Sequence, residues 1–131
     1  MKLHHTGFIV KSIDDYEKRM VFEEKIGDVI DLVQNARLTL YKNFGGPYVE
    51  LIQPLNENAF IWNTLQKSGE GFNHFCYSVY SLEEVENIVQ KFKLTVITSP
   101  VPAKLFGGKQ VVFYYAKNRQ IVEFLIDEKA I

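Results

Sequence analysis

The chain has 131 residues, 47% of them hydrophobic, enough for one compact domain with its own core. Its 15 Lys and Arg against 16 Asp and Glu give a net charge of −1, without the clustered cations that nucleic acid or an anionic membrane surface requires. No window approaches about 18 uninterrupted apolar residues and the first residues hold no apolar leader, so the expectation is a cytoplasmic protein without a membrane span.

In chain order, residues 3–10 read as a strand rich in β-branched and aromatic types, and Ser12 with Asp15 three residues on reads as the cap of a helix carrying Ile13, Tyr16 and Met20. Strand-like runs follow at 28–34, 36–43 and 48–53. Pro54 to Asn58 is a break, 59–67 with Ile61, Trp62 and Leu65 reads as a connecting helix, and Gly69-Glu70-Gly71 ends it. Ser81 and Glu84 repeat the cap, and Leu82, Val85, Ile88, Val89 and Phe92 fall at the spacing of an amphipathic helix over 82–92. Strands are expected at 94–98, 110–116 and 120–126. The stretch 99–109, with Pro100, Pro102, Gly107 and Gly108, reads as a long loop, either functional or disordered. Cys76 is the single cysteine and reads as a small apolar residue.

Strand, helix and three strands thus occur twice, and the sequence itself repeats. His5-Thr6-Gly7-Phe8-Ile9-Val10-Lys11-Ser12 is echoed by His74-Phe75-Cys76-Tyr77-Ser78-Val79-Tyr80-Ser81, and Val49-Glu50-Leu51-Ile52 by Val122-Glu123-Phe124-Leu125. The expected fold is α+β, one domain of two βαβββ modules, 1–54 and 71–131, joined by a connecting helix within 55–70. Alternation along a strand puts His5, Gly7 and Ile9 on one face, matched by His74, Cys76 and Ser78, with the bulkier Phe8, Val10, Phe75, Tyr77 and Val79 turned toward the helices. His4 falls on the helix-facing side. Glu50 and Glu123 each sit in an apolar strand, where a carboxylate is costly unless it is paired or bound to a cation. Two His and two Glu at repeat-equivalent positions, His5, Glu50, His74 and Glu123, make a donor set suited to one divalent ion: Zn, Ni, Co, Mn or Fe(II).

Val49-Glu50-Leu51-Ile52-Gln53-Pro54-Leu55, Gly69-Glu70-Gly71-Phe72-Asn73-His74 and Ile121-Val122-Glu123 resemble the vicinal oxygen chelate superfamily, which includes glyoxalase I (lactoylglutathione lyase), methylmalonyl-CoA epimerase, bleomycin-resistance proteins and extradiol dioxygenases. The resemblance implies paired βαβββ modules in a curled, cup-like mixed sheet with helices outside, and a homodimer. It places His5, Glu50, His74 and Glu123 on the metal-ligand positions. The implied activity is that of a metal-dependent lyase or isomerase on a thioester, hemithioacetal or related carbonyl compound, through an enediolate or enolate, with Glu123 and Glu50 as catalytic carboxylates. The alternative is a non-catalytic protein of the bleomycin-resistance type that sequesters a small molecule. Similar epimerases carry a further glutamate where this chain has Val33, beside Asp31. Lys104 and Lys109, with the Gly107-Gly108 turn, offer contacts to a phosphate or carboxylate of substrate, or a solvated loop.

Overall fold

A computed structural model describes residues 1–129 of the chain as an α+β fold of nine strands and three helices. The chain divides into two compact units, Thr6–Asn73 and residues 1–5 with those from His74 onward. Strand β1 (Lys2–Ile9) contributes to both.

In the Thr6–Asn73 unit, β2 (Glu24–Asp31), β3 (Ala36–Asn43) and β4 (Gly46–Pro54) form an antiparallel meander. The later part of β1 runs beside β4, and the Val10 N–H donates to the Ile52 carbonyl at 2.9 Å. Helix α1 is only Ile13–Glu17. Ser12 caps it by accepting from the Asp15 N–H at 3.2 Å, and Ile13 enters a core with Val10, Tyr41 and Leu51. Met20 packs against that core from beyond the helix. Helix α2 spans Trp62–Ser68 and buries Leu65.

The expected strand 28–34 is displaced, since β2 ends at Asp31. The Asp31 side chain accepts from the Val33 and Gln34 N–H groups at 3.0 and 3.1 Å, and Asn35 turns the chain at φ 53. This is an Asx-type turn, in which a short acidic side chain replaces the sheet partner of the backbone. Leu32 and Val33 supply the apolar pattern of a strand, yet they are 81% and 65% exposed at the tip of the turn.

Strand β2 is tied down by charge as well as by its ladder. Arg37 grips Asp28 with two parallel hydrogen bonds of 3.0 and 2.8 Å and reaches Asp14 of α1 at 2.9 Å. The Arg37 guanidinium holds the Asp28 carboxyl down from 3.8 to about 2. Because that value is depressed in the fold, the stabilisation is complete above the unfolded value and is lost as pH falls through about 2. Asp28→Asn is expected to lower stability by less than about 1 kcal/mol near neutrality, the pair being solvent-exposed. Urea titrations of both proteins should show that gap closing toward pH 2, and a gap independent of pH would refute the assignment.

In the other unit, β5 (Gly71–Val79) enters at His74, and β9 (Ile121–Ile126) runs parallel to it, pairing His74 with Ile121 and Cys76 with Glu123. β8 (Gln110–Tyr115) is antiparallel to β9, with Phe113 opposite Glu123. Helix α3 is Leu82–Phe92, as the spacing predicts. Ser81 accepts from the Glu84 N–H, and the Glu84 carboxylate accepts from the Tyr80 N–H. Val85 of α3 packs on Val79, Val112, Tyr114 and Phe124. The opposite face of the same strands carries Cys76, Val111 and Leu125 with Ala103.

The expected strand 94–98 shrinks to β6 (Thr95–Val96), and the expected loop contains β7 (Val101–Pro102), so four strands rather than three follow α3. Both short strands add to β8. A 3-10 turn at Lys104–Phe106 continues the loop, which is closed by Gly108 N–H to Ala103 C=O and Ala103 N–H to Lys109 C=O, both 2.9 Å. Gly107 and Gly108 take φ of 67 and 86, a left-handed reversal that side chains resist. The segment is therefore an ordered structural turn. Among the described residues no helix is long and apolar enough to cross a membrane.

Candidate metal centre

Parallel pairing puts Glu123 across from Cys76 and one pleat along from His74, on a face otherwise filled by Cys76, Val111, Phe113 and Leu125. His5 reaches the same point from β1. Its Nε2 lies 3.2 Å from His74 Nε2 and 3.1 Å from Glu123 Oε1, and His74 Nε2 lies 3.0 Å from that oxygen. The three residues are 0%, 1% and 2% exposed. Three donor atoms thus form a nearly equilateral triangle out of reach of solvent.

Among the described residues Glu123 Oε1 has no hydrogen-bond partner. Burial alone would push the Glu123 carboxyl up, but the His5 and His74 imidazoles hold it well below the usual carboxylate range. An ionised, desolvated oxygen facing two ring nitrogens is costly without a positive charge among them. Donors about 2.1 Å from one divalent ion stand about 3.0 Å apart at right angles and about 3.4 Å apart at tetrahedral angles. The observed edges suit such an ion, and imidazole with carboxylate is a donor set that Zn, Mn, Fe, Co and Ni all accept.

Glu50 lies on β4 in the other unit, opposite Leu40, and is 4% exposed. It shares its face with the buried Leu38, Leu40 and Ile52, whereas Leu51 joins the α1 core on the other side. The alternation read from the sequence therefore holds for both glutamates.

Three aromatic neighbours flank the triangle, two of them missed by the sequence reading. Phe106 stacks on the His5 ring at 5.3 Å and meets the His4 ring edge-on at 5.2 Å, and Phe113 meets His74 edge-on at 5.8 Å. Phe113 was recoverable from the pairing of β8 with β9, since it stands opposite Glu123; nothing periodic marks Phe106. His4 is the third. Strand alternation sends it to the helix side, but its ring turns back so that its Nδ1 lies 2.9 Å from His5 Nδ1. Burial, reinforced by the neighbouring His5 ring, pushes the His4 imidazole down to about 4.

Val33, which the resemblance sets at the place of a further glutamate, is an exposed turn residue, and Asp31 two positions before it caps the turn.

A sequence model of the glyoxalase/bleomycin resistance protein/dioxygenase superfamily matches residues 4–113. The chain belongs to that superfamily. The match takes in His5, Glu50 and His74 and stops short of Glu123. The chain is 26% identical to the mitochondrial methylmalonyl-CoA epimerase of Mus musculus, over 89% of this chain and 68% of that protein. It is 25% identical to the corresponding Dictyostelium discoideum protein, over 98% and 78%. A hypothetical protein of Bacillus halodurans C-125 superposes with a TM-score of 0.83 at 28% identity, covering 99% of this chain and 96% of that one. Methylmalonyl-CoA epimerase from Mycobacterium tuberculosis superposes at 0.78 and 18%, over 95% and 87%, a likeness of fold.

Proposed function

We propose that this protein is a divalent-metal-dependent isomerase or lyase that moves a proton at a carbon next to a carbonyl, with acyl thioesters as the favoured substrate class. The observation that carries the reading is the buried triangle of His5 Nε2, His74 Nε2 and Glu123 Oε1, whose carboxylate oxygen lacks any hydrogen bond. Similarity to methylmalonyl-CoA epimerases supports the substrate class.

His5, His74 and Glu123 would hold the ion. The chemistry such an ion would supply is polarisation of the carbonyl oxygen and compensation of the negative charge left as the neighbouring carbon loses its proton. The Glu123 carboxylate would take the proton from that carbon and return it. Its apolar surroundings would keep water from competing for the carbanionic carbon. With Val33 and Asp31 committed to a turn, no further carboxylate from β2 is assigned a part.

Loading the purified protein with Ni, Co, Zn and Mn in turn and incubating it with a branched acyl thioester in deuterated water tests this directly. Deuterium should enter the α-carbon. If none of the four metals supports exchange in a thioester or a hemithioacetal, the reading is wrong.

A further inference from the structure

Two neighbouring imidazoles on β1 meet nitrogen to nitrogen, with His4 Nδ1 2.9 Å from His5 Nδ1, and His5 is a corner of the triangle. We propose that His4 is a positioning residue for His5: its Nδ1 accepts the proton on His5 Nδ1, which fixes the His5 tautomer and leaves the Nε2 lone pair facing His74 and Glu123. This role rests on the metal-site reading above and concerns how the site is prepared.

The argument begins with the proton count. A neutral imidazole carries one N–H, on Nδ1 or on Nε2. His5 meets other groups at both nitrogens: His4 Nδ1 at 2.9 Å on one side, His74 Nε2 at 3.2 Å and Glu123 Oε1 at 3.1 Å on the other. A proton on Nε2 would occupy the electron pair that a cation needs. A proton on Nδ1 has a closer acceptor and frees Nε2. A ligating histidine is held in this way whenever its second nitrogen donates to a fixed acceptor.

Two further features keep His4 in place. Phe106, from the Lys104–Phe106 turn, lies flat on His5 at an interplanar angle of 26° and edge-on to His4 at 89°, so one ring covers both partners. The two imidazoles are themselves nearly perpendicular, 78°, with centroids 5.1 Å apart. Excluding water from a hydrogen bond strengthens it, and the turn that carries Phe106 is fixed by its own backbone bonds to Ala103 and Lys109. The loop sequence therefore contributes an aromatic cover to the histidine pair.

The test compares His4→Phe, which keeps an aromatic ring but has no acceptor, with His4→Gln, which loses the ring but keeps an acceptor oxygen. Co(II) affinity, from titration of visible absorbance, should fall about 10- to 100-fold in His4→Phe, the range for an outer partner of a metal ligand, and stay within about threefold in His4→Gln. A residue that only fills space predicts the reverse order. A metal-free readout accompanies it: 15N NMR of the imidazoles should show His5 protonated on Nδ1 in the wild type and in His4→Gln, with the Nε2–H form gaining in His4→Phe. Tight Co(II) binding by the wild type, with His4→Phe equal to it and the His5 tautomer unmoved, would overturn the role of His4 alone. No Co(II) binding by the wild type would overturn the metal reading and this role with it.

Discussion

Replacing Glu123 by glutamine is expected to weaken Co(II) binding by at least about 100-fold, beyond the loss typical of an outer partner, while leaving the metal-free protein about as stable as before. The two halves of that expectation have one cause. Oε1 stands 3.0–3.1 Å from two imidazole nitrogens with no hydrogen bond to either, an arrangement that a cation stabilises and that ionised oxygen in an apolar pocket does not. Glutamine keeps the shape and removes the charge. Its amide also offers N–H donors to ring nitrogens that the carboxylate could not serve, and neutralising a buried ion often costs nothing. Titration calorimetry with Co(II), together with urea unfolding of both metal-free proteins, measures the two effects. Binding within threefold of wild type would remove Glu123 from the ligand set. A loss of several kcal/mol in the metal-free protein would show that the carboxylate serves the fold.

The neighbouring residue should give the opposite result. Phe124→Ala is expected to cost about 3–5 kcal/mol of stability, a large part of the roughly 5–15 kcal/mol available to a domain. Phe124 is 1% exposed and its ring meets Tyr77 at 6.4 Å and Tyr114 at 5.8 Å, beneath Val85 of α3. Urea unfolding should show a lower midpoint with an unchanged slope, and a loss below about 1 kcal/mol would mean the cluster tolerates a void. Adjacent positions on β9 thus divide stability from chemistry, because successive side chains leave a strand on opposite faces.

Much of this was legible before any coordinates. The spacing of Leu82, Val85, Ile88, Val89 and Phe92 predicts α3 to the residue, and 36–43 is β3. The repeat singles out His5, Glu50, His74 and Glu123; parallel pairing of β5 with β9 sets His74 near Glu123, and β1 brings His5 to both. Legibility fails where a local side-chain bond outweighs the hydrophobic pattern. Leu32 and Val33 read as strand, but Asp31 captures the next two backbone N–H groups first. It fails again where contact depends on the far end of a loop. Phe106 follows no period that would link it to His5, and His4 departs from the alternation that its neighbours obey.

The boundary between the two units has a topological consequence. The chain leaves residues 1–5 immediately after His5 and returns at His74, so the whole Thr6–Asn73 unit is a single excursion whose two ends are imidazoles 3.2 Å apart and 69 positions apart in sequence. An ion held by both rings, as proposed, would be a reversible cross-link around half of the protein. In a chain-entropy picture, closing a loop of that length removes on the order of 4 kcal/mol of disorder from the unfolded chain, as an upper bound for a rigid link. Loading the ion would therefore stabilise the excursion against unfolding, so its backbone amides should gain more protection from hydrogen exchange than contact with the ion alone would give.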